Sequence, residues 1–271
     1  MNIERMVDQM RIGIIGTGNM GYAIGKGLQE AGYGITVYNR SDRNVSELKS
    51  GGAHVALSVR ELAKESDIVI VAVKPKDILG VIRENCDYLE GKTVVSIAAG
   101  VSLQSLRVAS ENKATMSRVM PNTPALISKG VYGVVSDGLE PEVRESVMKL
   151  FSSIGEAYLI TEDDIHGFIS IAGSSPAYIF MFMEALADAG VRMGIKRADA
   201  YEIVADTLIG SAMLYKKTKE HPGALKDMVT SPKGTTIEAV RVLEENGFRS
   251  AVIEGALAAG IKSREMESKD K

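Results

Sequence analysis

The sequence is poor in the residues that build disulfide frameworks and metal sites. It has a single cysteine, Cys86, and only three histidines, His54, His166 and His221. One cysteine cannot form an internal disulfide, which suits a reducing compartment, so we expect a cytoplasmic protein. The histidines are scattered and no Cys/His cluster has the spacing of metal ligands, so we expect no protein-built metal site.

Long apolar runs, a surplus of basic residues and a hydrolase motif are absent as well. No uninterrupted apolar run approaches the ~20 residues of a membrane span, and Met1–Arg5 has no apolar core behind its charge. Lys and Arg number 32 against 35 Asp and Glu, which argues against a nucleic-acid partner. Without a Gly-x-Ser-x-Gly elbow, a Ser-His-Asp hydrolase is disfavoured. These absences favour a soluble enzyme that acts on a small molecule and relies on a bound cofactor for the chemistry.

The first half of the chain alternates short β-rich runs with helical patterns. Runs such as Ile68–Val73 are apolar throughout, as in a parallel sheet covered on both faces. This βαβ order predicts a Rossmann-type doubly wound α/β sheet. The predicted strands are Ile12–Ile15, Ile35–Tyr38, Ile68–Val73, Thr93–Ile97, Thr115–Val119, Val131–Val135 and Ala157–Ile160.

From Thr161 onward, long helical patterns replace the β-rich runs. Thr161–Asp164 reads as a capping box, and Pro176 should break or kink the helix that it opens. We therefore predict a Rossmann-type domain at 1–160 and a helical domain at 161–271, with frayed residues from Ser263 onward. The later predicted helices are Tyr178–Met193, Ala198–Tyr215, Leu225–Val229, Thr235–Glu245 and Phe248–Lys269.

The helix predicted at Tyr178–Met193 is apolar on nearly every face. Such a helix is buried either in a core or between subunits. The helical half of the chain therefore favours a homodimer or a higher homo-oligomer.

A glycine-rich segment lies between the first predicted strand and the following helix. It reads Gly16, Thr17, Gly18, Asn19, Met20 and Gly21. In a dinucleotide fingerprint the first glycine permits a tight turn, the second lets the backbone approach a pyrophosphate, and the third lets helix and strand pack closely. The alternative is a glycine-rich turn without a ligand, but the strand–turn–helix context favours dinucleotide binding.

The second predicted strand ends in Tyr38, Asn39, Arg40 and Ser41. An NAD site would place an acidic residue here to bind the ribose 2′-hydroxyl. Arg40 and Ser41 instead offer a guanidinium and a hydroxyl, which suit a 2′-phosphate. We expect NADPH rather than NADH, although NADH remains possible and Arg40 could equally be a solvated loop residue.

Further candidates follow other predicted strands, at the carboxyl edge where open α/β sheets bind ligands. Lys74 could contact the cofactor or merely cap the strand exit. Asn122, in a two-proline loop, could hold cofactor or substrate, or bond its own turn. The additional cofactor candidates are Ala72, Val73, Lys74, Pro75, Ala98 and Ala99.

The segment Val229–Glu238 is the most informative one outside the glycine loop. Thr235 and Glu238 fit a capping box, which would place Thr235 at the N-cap and leave free amides facing the preceding turn. Together with the helix dipole, these amides suit a carboxylate ligand, with hydroxyls nearby on Ser231, Thr235 and Thr236. The alternative is a well-capped helix without a ligand.

These motifs together resemble the pyrroline-5-carboxylate reductases, from Arg11 to about Lys262. The resemblance implies reduction of 1-pyrroline-5-carboxylate to proline by NAD(P)H, a Rossmann domain and a helical domain that dimerises by interleaving. It also implies that Ser231, Gly234, Thr235 and Thr236 hold the substrate and that Thr236 bonds its ring nitrogen. The markers are Gly16–Gly21, Ala72–Pro75, Ala98–Gly100, Met120–Pro124, Gly173–Tyr178 and Val229–Thr236.

Three positions depart from the family pattern. Ser175 and Lys233 stand where the family usually has glycine, and Val59 replaces an asparagine that often contacts the cofactor. A paralogue that binds without catalysis, or a reductase of another cyclic imine, is therefore an alternative. The β-hydroxyacid dehydrogenases share the architecture but use an interdomain lysine, and no lysine occurs between His166 and Arg192.

Overall fold

The computed structural model describes residues 10–135 and 137–268, so the predictions for Met1–Arg5 and for Lys269 fall outside the described residues. The chain divides into two compact units. The first unit comprises Met1–Ser174 and Ala258–Lys271, and the second comprises Ser175–Leu257. This division differs from the sequence-based boundary at residue 160. The first and the last residues of the helical half, up to Ser174 and from Ala258 onward, pack with the first unit.

The first unit is built on one eight-stranded sheet with strand order β3-β2-β1-β4-β5-β6-β7-β8. Neighbouring strands are parallel except β6 and β7, which pair antiparallel with Met120 opposite Gly133. The strands are β1 (Ile12–Ile15), β2 (Ile35–Tyr38), β3 (His54–Val55), β4 (Ile68–Val71), β5 (Thr93–Ser96), β6 (Thr115–Met120), β7 (Gly130–Val135) and β8 (Gly155–Ile160).

Helices connect these strands. A 3-10 turn, Thr123–Ile127, joins β6 to β7. The helices of this region are α1 (Asn19–Glu30), α2 (Val45–Ser50), α3 (Val59–Lys64), α4 (Pro75–Glu84), α5 (Leu103–Ala109), α6 (Pro141–Ser152) and α7 (Ile165–Phe168).

Both faces of the sheet are covered by helices. Ile14 of β1 packs with Ile24 and Leu28 of α1 on one face, and Val71 of β4 packs with Ile78 of α4 on the other. Full burial of such a side chain contributes about 2 kcal/mol. The predicted doubly wound sheet is therefore confirmed. Strand β3 was missed because two residues are too few to give a β-rich run.

The bonds of the predicted capping box form at Thr161 and Asp164, but the helix begins behind them, at Ile165, with Asp164 as its N-cap. The amides of Thr161 and Asp164 each donate to the other residue's side chain, at 3.3 Å. Helix α7 then passes into a π-helix, Ile169–Gly173, which ends just before Pro176, where a break was expected. The remaining helices are α8 (Ser175–Arg192), α9 (Arg197–Thr218), α10 (Pro222–Met228), α11 (Thr235–Glu245) and α12 (Phe248–Ser268).

One helical stretch, Ile165–Arg192, is long and apolar enough to cross a membrane by length and composition. A search for uninterrupted apolar runs did not detect this stretch, because scattered polar residues interrupt it. Its mean hydropathy is nevertheless high. In the second unit its large side chains, including Phe180 at 59% and Met181 at 70%, are exposed. The same composition is typical of a helix that packs against another subunit.

The end of α12, from Ser263 to Ser268, belongs to the first unit and is helical, contrary to the expectation of fraying; residues 269–271 lie outside the described part of the chain. Arg118 of β6 is almost completely buried and donates to Glu162 at 2.6 Å and to Glu267 at 3.1 Å. Ser263 is also buried, with its hydroxyl 2.9 Å from His166 Nδ1. The charged residues were expected to fray, but they satisfy a buried guanidinium.

Glu267→Gln should lower the free energy of unfolding by about 2 kcal/mol, because it leaves the buried Arg118 with one carboxylate. Glu265→Gln on the same helix is the matched control, since its ion pair with Lys262 is exposed. That control should change stability by less than ~1 kcal/mol. Urea unfolding at one protein concentration measures both, and equal losses would contradict a special role for Glu267.

Stability should also decrease as the pH falls through the histidine range. Burial lowers the pKa of His166, while Glu267, 3.8 Å from its Nε2, opposes that shift. Because the pKa of His166 is lowered in the folded protein, the unfolded chain takes up the proton first as the pH falls. The contribution of neutral His166 to the free energy of unfolding is therefore present above the ordinary histidine pKa and lost below it. His166→Gln should flatten the curve of unfolding free energy against pH between about pH 7 and 5. Parallel curves for the two proteins would refute this assignment.

Candidate functional site

The glycine loop between β1 and α1 is closely packed on one side and open on the other. Gly16 adopts a φ of 98°, and a Cβ there would lie 2.7 Å from the Ala72 carbonyl oxygen. A Cβ at Gly21 would lie 2.1 Å from the Gly16 carbonyl oxygen. At Gly18 no atom lies within 4 Å of that position. The loop therefore leaves room for a ligand at the glycine where the fingerprint expects a pyrophosphate.

Helix α1 begins at this open side. Its N-cap is Gly18, which supplies no side-chain hydrogen bond to the first turn. The first amides of the helix and the positive end of its dipole therefore face the loop, which is the arrangement that binds phosphates.

A cleft of about 680 Å³ extends from the loop along the carboxyl ends of β1, β2 and β4. It brings together residues from three separate predicted motifs. Eight of the predicted cofactor residues line it: Gly16, Gly18, Asn39, Arg40, Ser41, Ala72, Val73 and Lys74.

The other predicted cofactor residues are outside this lining. The Thr17 hydroxyl donates to the Arg43 carbonyl, and Asn19 Oδ1 accepts from Arg43 at 2.6 Å. Gly21 packs beneath the loop, and Pro75 is the first residue of α4. Met20, Ala98 and Ala99 complete the set outside the lining.

Several lining residues were missed by the sequence analysis. They follow β2 or the short strand β3, or lie on and after α4. Because β3 was not recognised, only the family resemblance, at Val59, pointed to the residues behind it, and Val59 also lines the cleft. The missed polar residues are Arg43, Ser58, Arg60, Lys76, Asp77, Glu84, Asn85 and Tyr88.

Asn122 is buried and both ends of its amide are bonded to the protein backbone. Its Oδ1 accepts from the Val131 amide at 2.8 Å, and its Nδ2 donates to the Ala172 carbonyl at 3.0 Å. The side chain therefore links the loop after β6 to β7 and to the π-helix. The alternative to ligand binding was a bond within the turn of Asn122 itself, and neither of these two bonds is of that kind.

In the second unit, a tight turn precedes α11. The Gly234 amide donates to the Ser231 carbonyl at 3.0 Å, and Lys233 adopts a left-handed φ of 58°. A Cβ at Gly234 would lie 2.3 Å from Ser231 Oγ, so the serine hydroxyl occupies the space that a side chain at residue 234 would take. The hydroxyl of Ser231 therefore lies directly before the helix.

The predicted capping box at this turn is wrong. The N-cap is Gly234, not Thr235, and no side chain caps the helix. Gly234 is extended and already closes the turn, so the helix begins one residue earlier than predicted. Glu238 instead accepts from Arg241, which holds the pKa of its carboxyl below the usual value. As a result, the hydroxyls of Thr235 and Thr236 are not used as caps.

Lys233→Gly should stabilise the protein by about 1 kcal/mol, because a non-glycine residue in the left-handed region is strained. Lys233→Ala is the matched control, since it removes the charge and keeps the strained backbone. Thermal unfolding of the three proteins distinguishes these effects. If the alanine variant were stabilised as much as the glycine variant, charge rather than backbone strain would be responsible.

Within the part of the chain that the structure describes, one group of side chains has metal-ligand geometry. His54, Glu61 and Glu65 have ligand atoms within 4.8 Å of one another. The group was not detected from sequence, where the histidines are scattered. His54 Nδ1 lies 2.6 Å from Glu65, and Glu61 accepts from the Leu57 amide at 2.7 Å, so these residues already bind one another and the backbone.

The glycine loop, the helix that begins at it and the cleft at the strand ends define a dinucleotide-binding oxidoreductase. A family model described as NADP oxidoreductase coenzyme F420-dependent matches residues 11–100. One described as pyrroline-5-carboxylate reductase dimerisation matches residues 162–266. Together with full-length relatives, these matches show that the chain belongs to the pyrroline-5-carboxylate reductase family.

Relatives match over almost their whole length. The Escherichia coli (strain K12) pyrroline-5-carboxylate reductase is 47% identical over 265 residues, covering 95% of this chain and 98% of its own. The Aquifex aeolicus (strain VF5) enzyme is 40% identical over 250 residues, covering 90% and 93%.

Solved structures confirm the fold. The Coxiella burnetii pyrroline-5-carboxylate reductase superposes with a TM-score of 0.88 at 32% identity, covering 94% of this chain and 97% of its own. Plasmodium falciparum pyrroline carboxylate reductase with NADP bound gives 0.87 at 30% identity, covering 96% and 99%. The expected Rossmann-type domain with a helical dimerisation domain, and the expected NAD(P)H-dependent reductase class, are both confirmed.

Proposed function

We propose that this protein reduces 1-pyrroline-5-carboxylate to L-proline with NADPH, the last step of proline biosynthesis in the cytoplasm. The observation that carries the proposal is the Ser231–Thr236 turn at the start of α11. In this turn Gly234 packs closely against Ser231, the first amides of the helix have no side-chain cap, and the hydroxyls of Thr235 and Thr236 do not serve as caps. Full-length relatives named for this activity support the choice of substrate.

The substrate carboxylate is assigned to the turn in the second unit. The first amides of α11 lack side-chain caps, and the dipole of this 11-residue helix favours an anion at its start. Ser231, Gly234 and Thr235 surround that position in sequence and structure. The ring nitrogen is assigned to the hydroxyl of Thr236, the second residue of the helix.

The cofactor is assigned to the cleft of the first unit. The open side of Gly18 and the amides of α1 suit the pyrophosphate, and Arg40 and Ser41 at the end of β2 suit the 2′-phosphate. Asn39 Nδ2 donates to the Ser41 carbonyl at 2.8 Å and so holds this loop. NADH lacks the 2′-phosphate and should bind more weakly.

NADPH, when bound, supplies the hydride that reduces the C=N carbon. The protein supplies proximity and charge placement. A threonine hydroxyl is a weak acid, so Thr236 orients and polarises the imine, and the proton on nitrogen comes from water or from a substrate protonated before binding. Asn122 keeps the loop after β6 in place, because its amide is bonded at both ends.

The protein is proposed to act as a homodimer or larger homo-oligomer through the second unit. Residues 162–266 match the dimerisation family model, and many large apolar side chains of this unit are exposed. A second copy would bury them, which accounts for the membrane-like composition of Ile165–Arg192.

The decisive experiment is NADPH oxidation with and without 1-pyrroline-5-carboxylate, repeated with NADH. Imine-dependent turnover that is faster with NADPH is the expected result. Absence of turnover, with NADPH still bound, would favour another cyclic imine or a non-catalytic paralogue. Lys233 and Ser175 are the positions to revert in that case.

Thr236→Ala should lower kcat/KM about 10²-fold or more, because it removes the group that polarises the imine. Thr236→Ser keeps a hydroxyl and should retain most of the activity. Thr207→Ala is the control, since that hydroxyl bonds the Ile203 carbonyl within α9. An alanine variant with unchanged kcat/KM would exclude this role for Thr236.

A further inference from the structure

The cofactor cleft has a second basic wall, formed by residues that follow β3. Strand β3 pairs parallel with β2, so the residues after both strands lie at the same edge of the sheet. Arg40 follows β2, and Arg60 is the second residue of α3, which follows β3. Both side chains line the same cleft of about 680 Å³.

The backbone at Arg60 is fixed by two side-chain hydrogen bonds at the start of α3. The Glu61 amide donates to Ser58 Oγ at 3.1 Å, and the Leu57 amide donates to Glu61 Oε2 at 2.7 Å. These bonds hold the first turn of the helix in one conformation. The side chain of Arg60 therefore starts from a backbone position that is fixed.

The guanidinium of Arg60 is supported by an aromatic ring. It lies over Tyr88, 5.6 Å from the ring centroid, and Tyr88 lines the same cleft. A guanidinium that lies against an aromatic face keeps its N–H donors at its edge, where they are available to an anion.

The charges of the cleft also leave Arg60 available. Five basic side chains line it against two acidic ones, Asp77 and Glu84. Arg43 donates to Asn19, whereas among the described residues neither Arg40 nor Arg60 is paired with a carboxylate. The neighbouring Val59 is apolar, so Ser58 and Arg60 carry the polar contacts of this wall.

We propose that Arg60 is a specificity-determining residue for NADPH, binding the 2′-phosphate together with Arg40. The inference rests on the proposed function only in assigning the dinucleotide to this cleft. Two guanidiniums match the charge and the several acceptor oxygens of a phosphate monoester. NADH has no group to engage them, so Arg60 discriminates between the two cofactors and leaves the chemical step unaffected.

The test uses two nucleotide probes that require no turnover, 2′,5′-ADP and 5′-AMP, with calorimetry on the full-length protein. Arg60→Ala should weaken 2′,5′-ADP binding about 10-fold or more and leave 5′-AMP within about twofold, since one charge-assisted contact is lost. Tyr88→Leu should weaken 2′,5′-ADP less, by about threefold, because the guanidinium loses its support. Arg83→Ala is the control: this exposed arginine lies on α4 outside the cleft lining.

An unchanged affinity of Arg60→Ala for 2′,5′-ADP, or an equal loss for both probes, would overturn the inference. The steady-state counterpart is a rise in KM for NADPH without a change in KM for NADH. Failure of the proposed function looks different. A wild-type protein that prefers 2′,5′-ADP to 5′-AMP but reduces no pyrroline-5-carboxylate would contradict the reaction and leave the role of Arg60 intact.

Discussion

The close approach of Gly21 to the Gly16 carbonyl determines the geometry of the whole cofactor side of this protein. With 2.1 Å available to a Cβ, no other residue fits at Gly21 without displacing the backbone. The contact presses α1 onto the carboxyl ends of β1 and β4 and directs its first amides at the open face of Gly18. The adjacent cleft is lined by residues at the carboxyl ends of these strands and of β2. A single atom at this contact would therefore disturb residues from three strands at once.

The two candidate sites use the same physical device in different ways. In each, a turn leads into a helix whose N-cap is glycine and offers no side-chain cap, at Gly18 for α1 and Gly234 for α11. The unpaired amides are then available to an anion. What distinguishes the sites is their surroundings: basic side chains line the first, and hydroxyl groups border the second. That difference suits a multiply charged dinucleotide in one and a small carboxylate in the other.

The sequence was sufficient wherever a local pattern and its three-dimensional result coincide. The glycine loop, the apolar strands and the bonds between Thr161 and Asp164 all depend on neighbours in the chain, and all appear where predicted, although the helix after Thr161 begins only at Ile165. Arg60 could not be found in this way, because it reaches the cleft through β3, a strand of two residues. The start of α11 was misplaced by one residue, since two threonines and a glycine compete for the same cap. The anchoring of Glu267 depends on Arg118, 149 residues earlier, which no local pattern reveals.

The buried Arg118 gives the fold an unusual chain order. Because Glu267 returns to the sheet, the second unit is inserted between two parts of the first and is covalently attached to it at both ends. A fragment that stops after β8 would expose the surfaces that α7 and the last turns of α12 cover, and would lack both carboxylates of the Arg118 network. The dinucleotide-binding unit is therefore completed only by residues that follow the second unit in sequence. During synthesis these residues are added only after the helical half has been made, so Arg118 cannot pair with Glu267 before then.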